Sequence, residues 1–376
     1  MHTESTTKLG LAGTLARFFI DSRLTPLVML VALLLGLGAT MILPREEEPQ
    51  ITVPMADVFV EMPGATAREV EQRVTYPLEK LIKELPGVEY VYSTSRPGAS
   101  LVIVRFFVGE RTEDALVRLY HKLYANFDRI PPGASRPLIK SRSIDDVPVL
   151  SLTLWSERQD GFALRQIAGQ LDEQIKQVGE VSETTILGGQ RRAVRIVLDP
   201  ARLAAHRLTP RHLAEALAAG NASLTAGEMT RDNRTLLVRT EGFLRDADEV
   251  KRLVVGVSDG RPVHLEAVAD VVDGPEEPAS RVFFLSGPAA KTSEKTLGQA
   301  EAVTIAVAKR KGANAIDVTH RVIAKLDRIR SRYLSADVHL TVTRDYGETA
   351  AERSNELLGH MAIAVGSVTL LMWFFL

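Results

Sequence analysis

The sequence predicts an α+β membrane protein, and three observations carry that reading. Two apolar runs near the ends, residues 24–43 and 357–376, contain no Asp, Glu, Lys or Arg. The long middle between them has the composition of a soluble domain, and within it a strand–helix–strand pattern occurs twice. The 376 residues carry a formal net charge of -1 and no cysteine. That leaves no electrostatic footprint for nucleic acid, and it excludes disulfides and thiolate metal sites.

Residues 1–23 read as a cytoplasmic amphipathic segment. Leu11, Leu15, Phe18 and Phe19 recur at helical spacing there, which suits a short helix on the membrane surface or an extension of the following span. Residues 24–43 have the length of about 20 residues that a transmembrane helix needs. They exceed a signal h-region, and no small-x-small cleavage site precedes Pro44, so a retained span is expected. Lys8, Arg17 and Arg23 precede the span and only Arg45 follows it, which puts the N-terminus in the cytoplasm. Glu46, Glu47 and Glu48 then lie outside, where a hydrated stop at the membrane edge is favoured over a cation site.

A first module is expected over residues 44–135. ITVPMADVFVEMPGA, from Ile51, reads as a strand. Thr66 and Glu69 form a capping-box pattern for a helix whose buried face is Val70, Val74, Leu78, Leu81, Ile82 and Leu85. VEYVYSTSRPGASLVIVRFFV makes a hairpin with Pro97 and Gly98 in a type II turn. Thr112 can cap a further helix with Leu116, Leu119, Leu123 and Phe127 as its stripe, ended by Pro131 and Pro132. Strand, helix, hairpin, helix, strand is the split-βαβ, ferredoxin-like order.

A second module, over 136–190 and 275–346, is interrupted by an insert over 191–274. DDVPVLSLTLWSE repeats at Val147 and Pro148 the Val-Pro entry of Val53 and Pro54, and Ile167, Leu171, Ile175 and Val178 mark the next helix. The insert holds the strand AVRIVL, a helix entered at Thr209 and Pro210 and closed by Gly220, and a polar arm from Asn221 to Glu241. Module-like sequence resumes with ASRVFFL, the strand AVTIAVAKRKG, a helix that Asn314 can cap, and VHLTVTRDY. A linker over 347–356 then leads to a second transmembrane helix, 357–376, which is expected to be cut short at Leu376.

No catalytic constellation is legible. The eight histidines form no metalloprotease helix, and His206 and His212 suit a structural surface better than a metal site. Gly36 and Gly38 fall in the first span, where glycine serves close helix packing, and Met55 and Met62 read as core. No enzyme, metal or cofactor is expected.

Several stretches, in order, resemble the N-terminal third of a resistance-nodulation-division (RND) efflux permease of the multidrug, acriflavin-resistance type. They are LPREEEPQI, EMPGA with VEQRVTYPLE, LPGVEYVYSTSRPGAS, LGGQRRAVRIVLDPARLAAHRLTP and KGANAIDVT. The resemblance runs from about Leu11 to the end. It implies the inner-membrane subunit of a proton-driven pump that exports amphiphilic small molecules, with a cytoplasmic N-terminus and a large periplasmic region. It also implies a homotrimer working with a periplasmic membrane-fusion adaptor and an outer-membrane channel. The two modules would be porter subdomains and the insert a docking subdomain, whose arm, shorter here, reaches into a neighbouring subunit. The relay carboxylates of such pumps belong to later spans, so the truncated chain alone is expected to export nothing. The resemblance assigns substrate-pocket roles to Thr185 and Leu187 in TTILGGQ, to Pro148, and to Glu276 and Glu277. Leu187 and Pro148 stand where multidrug members often carry rings, so the pocket would favour cationic or smaller amphiphiles over flat dyes. The heavy-metal branch, which VTYPLE also resembles, and a membrane-anchored scaffold without transport stay open as alternatives.

Overall fold

The computed structural model describes residues 13, 18–20, 22–43, 45–46, 51, 53–240, 242–288, 290, 295–296 and 298–375. Leu11, Leu15, Glu47 and Glu48 lie outside them. The charge-free run Thr25–Ile42 forms α1, with a proline in its first turn where the missing N–H costs nothing. Leu27, Leu33, Leu34 and Leu35 of α1 are exposed.

The strands β1 (Met55–Glu61), β2 (Val88–Arg96), β3 (Ala99–Phe106) and β4 (Leu138–Arg142) form an antiparallel sheet in the order β2-β3-β1-β4. Between β1 and β2 runs a helix, α2, made of Ala67–Val70, a π turn Glu71–Thr75, and Tyr76–Lys83. Its capping box is the predicted one: Glu69 donates its N–H to the Thr66 hydroxyl, and Thr66 donates its own N–H to the Glu69 carboxylate. The π turn has a local cause. Pro77 has no N–H to give to the carbonyl four residues back, so the backbone widens by one residue before the proline. The Thr75 hydroxyl, buried beneath the turn, bonds the hydroxyls of Ser95 at 2.8 Å and Ser100 at 2.7 Å. Helix α3 (Thr112–Tyr124) follows β3. Val70, Val74, Ile82, Leu119 and Leu123 pack on Val58, Val102, Val104 and Phe106 in one core.

Three expectations are corrected here. Leu138–Arg142 pairs with β1 and so lies in the first sheet, beyond the expected edge at 135. Thr112 is the first residue of α3 rather than its cap, and Arg111 in the cap position makes no side-chain bond. Phe127 lies past α3, in a 3-10 turn, with its ring centroid 4.5 Å from that of Tyr124.

The second sheet is built the same way around β5 (Leu150–Ser156), α4 (Gly161–Ile175) and β6 (Val181–Leu187). After β6 the chain departs through β7 (Arg192–Leu198), α5 (Pro200–Ala205), α6 (Pro210–Gly220), a hairpin of β8 (Leu224–Arg231) and β9 (Arg234–Thr240), α7 (Ala247–Lys251), and a second hairpin of β10 (Val254–Ser258) and β11 (Arg261–His264). It returns through β12 (Ala269–Pro275), which pairs antiparallel with β7 from Arg192↔Pro275 to Leu198↔Ala269. The insert thus enters and leaves on one two-stranded ribbon, and it has its own core around Leu203, Leu213, Val250 and Leu265. The arm is a tight hairpin whose turn residues Asp232 and Asn233 both take positive φ, the type I′ pattern. His212 closes a capping box with Thr209 at the start of α6.

The sheet is completed by β13 (Val282–Phe284), β14 (Ala300–Lys309), α8 (Ala315–Tyr333) and β15 (His339–Asp345). Its path is β13-β14-β5-β15, with β6 sharing an edge of β14 with β13. Leaving β13 aside, the order β6-β14-β5-β15 matches that of the first sheet. Leu150, Leu152 and Leu154 face α4 and α8, while Thr153 and Trp155 face away from them. β15 runs without a break into α9 (Tyr346–Phe375), so the expected linker over 347–356 is helix. Gly347 and Ala350 are buried in its first turns. Among the described residues, α9 is the one helix long and apolar enough to cross a membrane, and α1 is a shorter apolar helix.

Between α1 and the sheets stand Arg45 and Glu46. Arg45 donates to the α1 carbonyl of Thr40 and to the Asn355 side chain of α9, each at 3.2 Å. Glu46 accepts from Lys309, the last residue of β14, at 2.9 Å, with side-chain exposures of 15% and 6%. Glu46 is therefore not the hydrated stop expected from its neighbours in sequence.

Candidate functional site

The strand β6 alternates, with Thr184 and Ile186 half-buried and Thr185 and Leu187 exposed. Leu187 is 49% exposed and belongs to none of the cores. Gly188 and Gly189 follow with φ of +82° and +64°, and a side chain at either would collide with its surroundings. Only glycine makes this close turn. It brings the end of β6 against α4, where Arg165 donates to the carbonyls of Ile186 and Gly188.

Beyond the turn the chain enters β7, and the partner strand β12 brings Glu276 back to the same place. Backbone and side chain lock the two: Glu276 donates its N–H to the Arg191 carbonyl at 2.8 Å, and Arg191 donates its N–H to Glu276 Oε1 at 3.1 Å. Leu187, Gln190, Arg191, Glu276 and Pro278 line a cleft of about 260 Å³ with Arg165 at its back. Burial lowers the Arg165 pKa from its ordinary value, the nearby Arg191 charge lowers it further, and Glu276 opposes both. The cleft is thus a half-apolar mouth with two guanidinium groups and one carboxylate, suited to hold a small amphiphile by contact and hydrogen bonding.

Of the five residues singled out by sequence, the structure brings Leu187 and Glu276 to one cleft, with Thr185 on the same face of β6. Glu277 is exposed and lies outside the cleft lining. Pro148 stands elsewhere. Leu187 is level with Thr304 and Thr153, whereas Pro148 precedes the β5 residue paired with Val307, a separation of about 16 Å along the strand. Sequence reasoning missed Arg165, whose partners are backbone carbonyls that leave no mark in composition. It also missed the polar row on the open face of the sheet, where Thr153 bonds the hydroxyls of Thr304 at 2.9 Å and Thr343 at 3.0 Å. The alternation of LSLTLW was its only signal. Beside that row Trp155 is stacked between Phe284 and His339, with centroid distances of 4.8 and 4.3 Å. Among the described residues no group of three or more His, Asp or Glu is placed to hold a metal ion.

Comparison with known proteins finds that residues 15–376 match the model of the AcrB/AcrD/AcrF family. The chain is 27% identical over 354 residues to the multidrug resistance protein MdtC of Yersinia pseudotuberculosis serotype O:1b (strain IP 31758). It has the same identity to the protein of that name from Yersinia pestis bv. Antiqua (strain Angola). In each case 94% of this chain and 33% of the relative are covered, so the chain spans about a third of the length of the curated relatives it matches.

Proposed function

Because the chain belongs to the AcrB/AcrD/AcrF family of RND efflux permeases, as its N-terminal portion, we propose that it forms part of an inner-membrane pump subunit that exports small amphiphilic compounds by proton antiport. The observation that carries the substrate reading is the cleft shared by Leu187 and Glu276 at the rim of the open sheet face. On this reading the two like-ordered sheets are ferredoxin-like porter modules, and the insert on its ribbon is the docking subdomain towards a membrane-fusion adaptor and an outer-membrane channel. The β8–β9 hairpin is the contact arm of a homotrimer. α1 and α9 are membrane spans, with the N-terminus in the cytoplasm and the sheets in the periplasm. The carboxylate of Glu276 lies beside Arg165 and Arg191, which offset its charge, so the cleft selects small amphiphiles without ring stacking and does not select cations over neutral compounds.

Two experiments test this. A reporter active only outside the cytoplasm, fused at Gly242, should be active, and the same fusion at Gly10 silent; the reverse pattern rejects the orientation. In the full-length permease, Leu187→Phe adds a ring at a half-exposed position without overpacking a core. It should improve export of planar aromatic compounds by about threefold to tenfold, from an aromatic contact of about 0.5–1.5 kcal/mol. Silver and copper tolerance should not move, since a phenyl ring offers no ligand atom. A uniform loss across substrates at equal membrane protein level rejects the cleft, and export of metal ions alone rejects the amphiphile reading.

A further inference from the structure

The first sheet unit carries a second cavity, of about 250 Å³, between α2, the end of α3 and the segment 126–137. It lies in a different unit from the Leu187 cleft and plays no part in the function proposed above. Its floor is apolar, formed by Val74, Leu78, Leu81, Leu123 and Ile130. Its rim is cationic, with Arg73 and Lys80 from α2 and Arg129 from the 3-10 turn, all three exposed. Among the described residues none of these three makes an ion pair. The Lys80 ammonium rests 4.2 Å from the centre of the Tyr76 ring. The carboxylate at the rim, Glu84, is already engaged by Lys122 at 2.6 Å, and that hydrogen bond holds its pKa below the ordinary value. At longer range Arg129 also acts on Glu84, and Arg73 acts on Glu69 one helical turn away, so the mouth holds three cations against one rim carboxylate that Lys122 already binds. Arg73 and Val74 both come from the π turn, a distortion that recurs at ligand sites because it re-aims side chains.

We propose that this cavity binds a small anionic amphiphile, with a carboxylate head between Arg73 and Arg129 and a short alkyl body on the leucines. The anion follows from the excess of positive charge at the mouth, three cations against the one lining carboxylate, Glu84, which Lys122 already holds. The short body follows from the volume, which lies below the usual range of drug-sized pockets, roughly 300–1,000 Å³.

The test uses the chain in zwitterionic lipid nanodiscs, titrated calorimetrically with octanoate, octan-1-ol and octyltrimethylammonium, with empty nanodiscs subtracted. Octanoate should bind saturably at one site, octan-1-ol more weakly, and octyltrimethylammonium not at all. The double variant Arg73→Gln/Arg129→Gln should weaken octanoate binding by about fivefold, the expected loss of two exposed charge contacts. Its thermal unfolding should match wild type, because both side chains are exposed. Ile130→Trp, which fills the floor from a loop, should weaken octanoate and octan-1-ol alike. Heat indistinguishable from bilayer partitioning overturns the proposal, as does equal affinity for the cationic probe, or a double variant that binds octanoate like wild type.

Discussion

Replacing Glu46 by Gln removes one charge from a nearly dry ion pair and leaves the Lys309 ammonium at the end of β14 without its partner. At 2.9 Å and an effective dielectric near 20 the gross attraction is about 6 kcal/mol, most of it offset by the desolvation of two ions. What the variant reveals is the cost of the stranded cation, about 3–5 kcal/mol for a fully buried pair. Glu46 keeps 15% exposure, so the lower end, about 3 kcal/mol, is expected. For a unit of this size that is roughly 6–12 °C in Tm. Trp155 on the neighbouring strand is a local reporter, and the only other tryptophan is Trp373. Thermal unfolding would therefore be followed by Trp155 fluorescence in a Trp373→Phe background. Lys309→Met combined with Glu46→Gln removes both charges and should return to within about 1 kcal/mol of the parent. A Glu46→Gln Tm within about 2 °C of the parent would refute the argument and show that water reaches Lys309.

Three further outcomes are expected. Thr75→Val, which strips the hydroxyl from beneath the π turn and strands the buried Ser100, should cost about 1–3 kcal/mol in a urea titration, and Thr75→Ser should recover most of it. Gly189→Ala forces a left-handed residue and drives its Cβ towards the Gly161 carbonyl and Arg165, so the folded yield should fall by much more than for Gly169→Ala, where nothing lies within 4 Å. The Arg192 guanidinium, bonded to Asp273 across the ribbon, lowers the Asp273 pKa from its ordinary value. A depressed carboxylate stabilises above its unfolded pKa of about 4 and loses that contribution as pH falls through the folded value. The stability gap between wild type and Asp273→Asn should accordingly be constant from neutral pH down to about 5 and close in stronger acid, as a pH series of melts would show.

Local chemistry made much of the fold legible. Thr66, Thr209 and Asn314 accept backbone N–H groups at their helix starts as the sequence implies. All six apolar residues read on the face of α2 are buried. The failures have physical reasons too. β4 is an edge strand in which Ile139 alone is buried, so it offers no alternation to detect. The residues 347–356 look like a polar linker because a single helix passes there from packed to exposed surroundings. Glu46 meets Lys309 across 263 residues, and no local pattern encodes such a pair. At the cleft, Leu187 and Glu276 were visible through resemblance, whereas Arg165 acts on carbonyl groups that a tight glycine turn exposes.

The unbroken passage from β15 into α9 makes the last helix a lever. A helix of 30 residues is about 45 Å long. Its first turn is gripped where Gly347 meets Thr319 of α8 and where Tyr346 donates its N–H to the Val149 carbonyl at the start of β5. With the short arm fixed in the sheet unit, a tilt of only about 5° there sweeps the far end sideways by about 4 Å. Run backwards, a displacement of that size at Phe375 arrives at the sheet as a rotation of a few degrees with correspondingly greater force, about a fulcrum that a single added methyl group at Gly347 would jam.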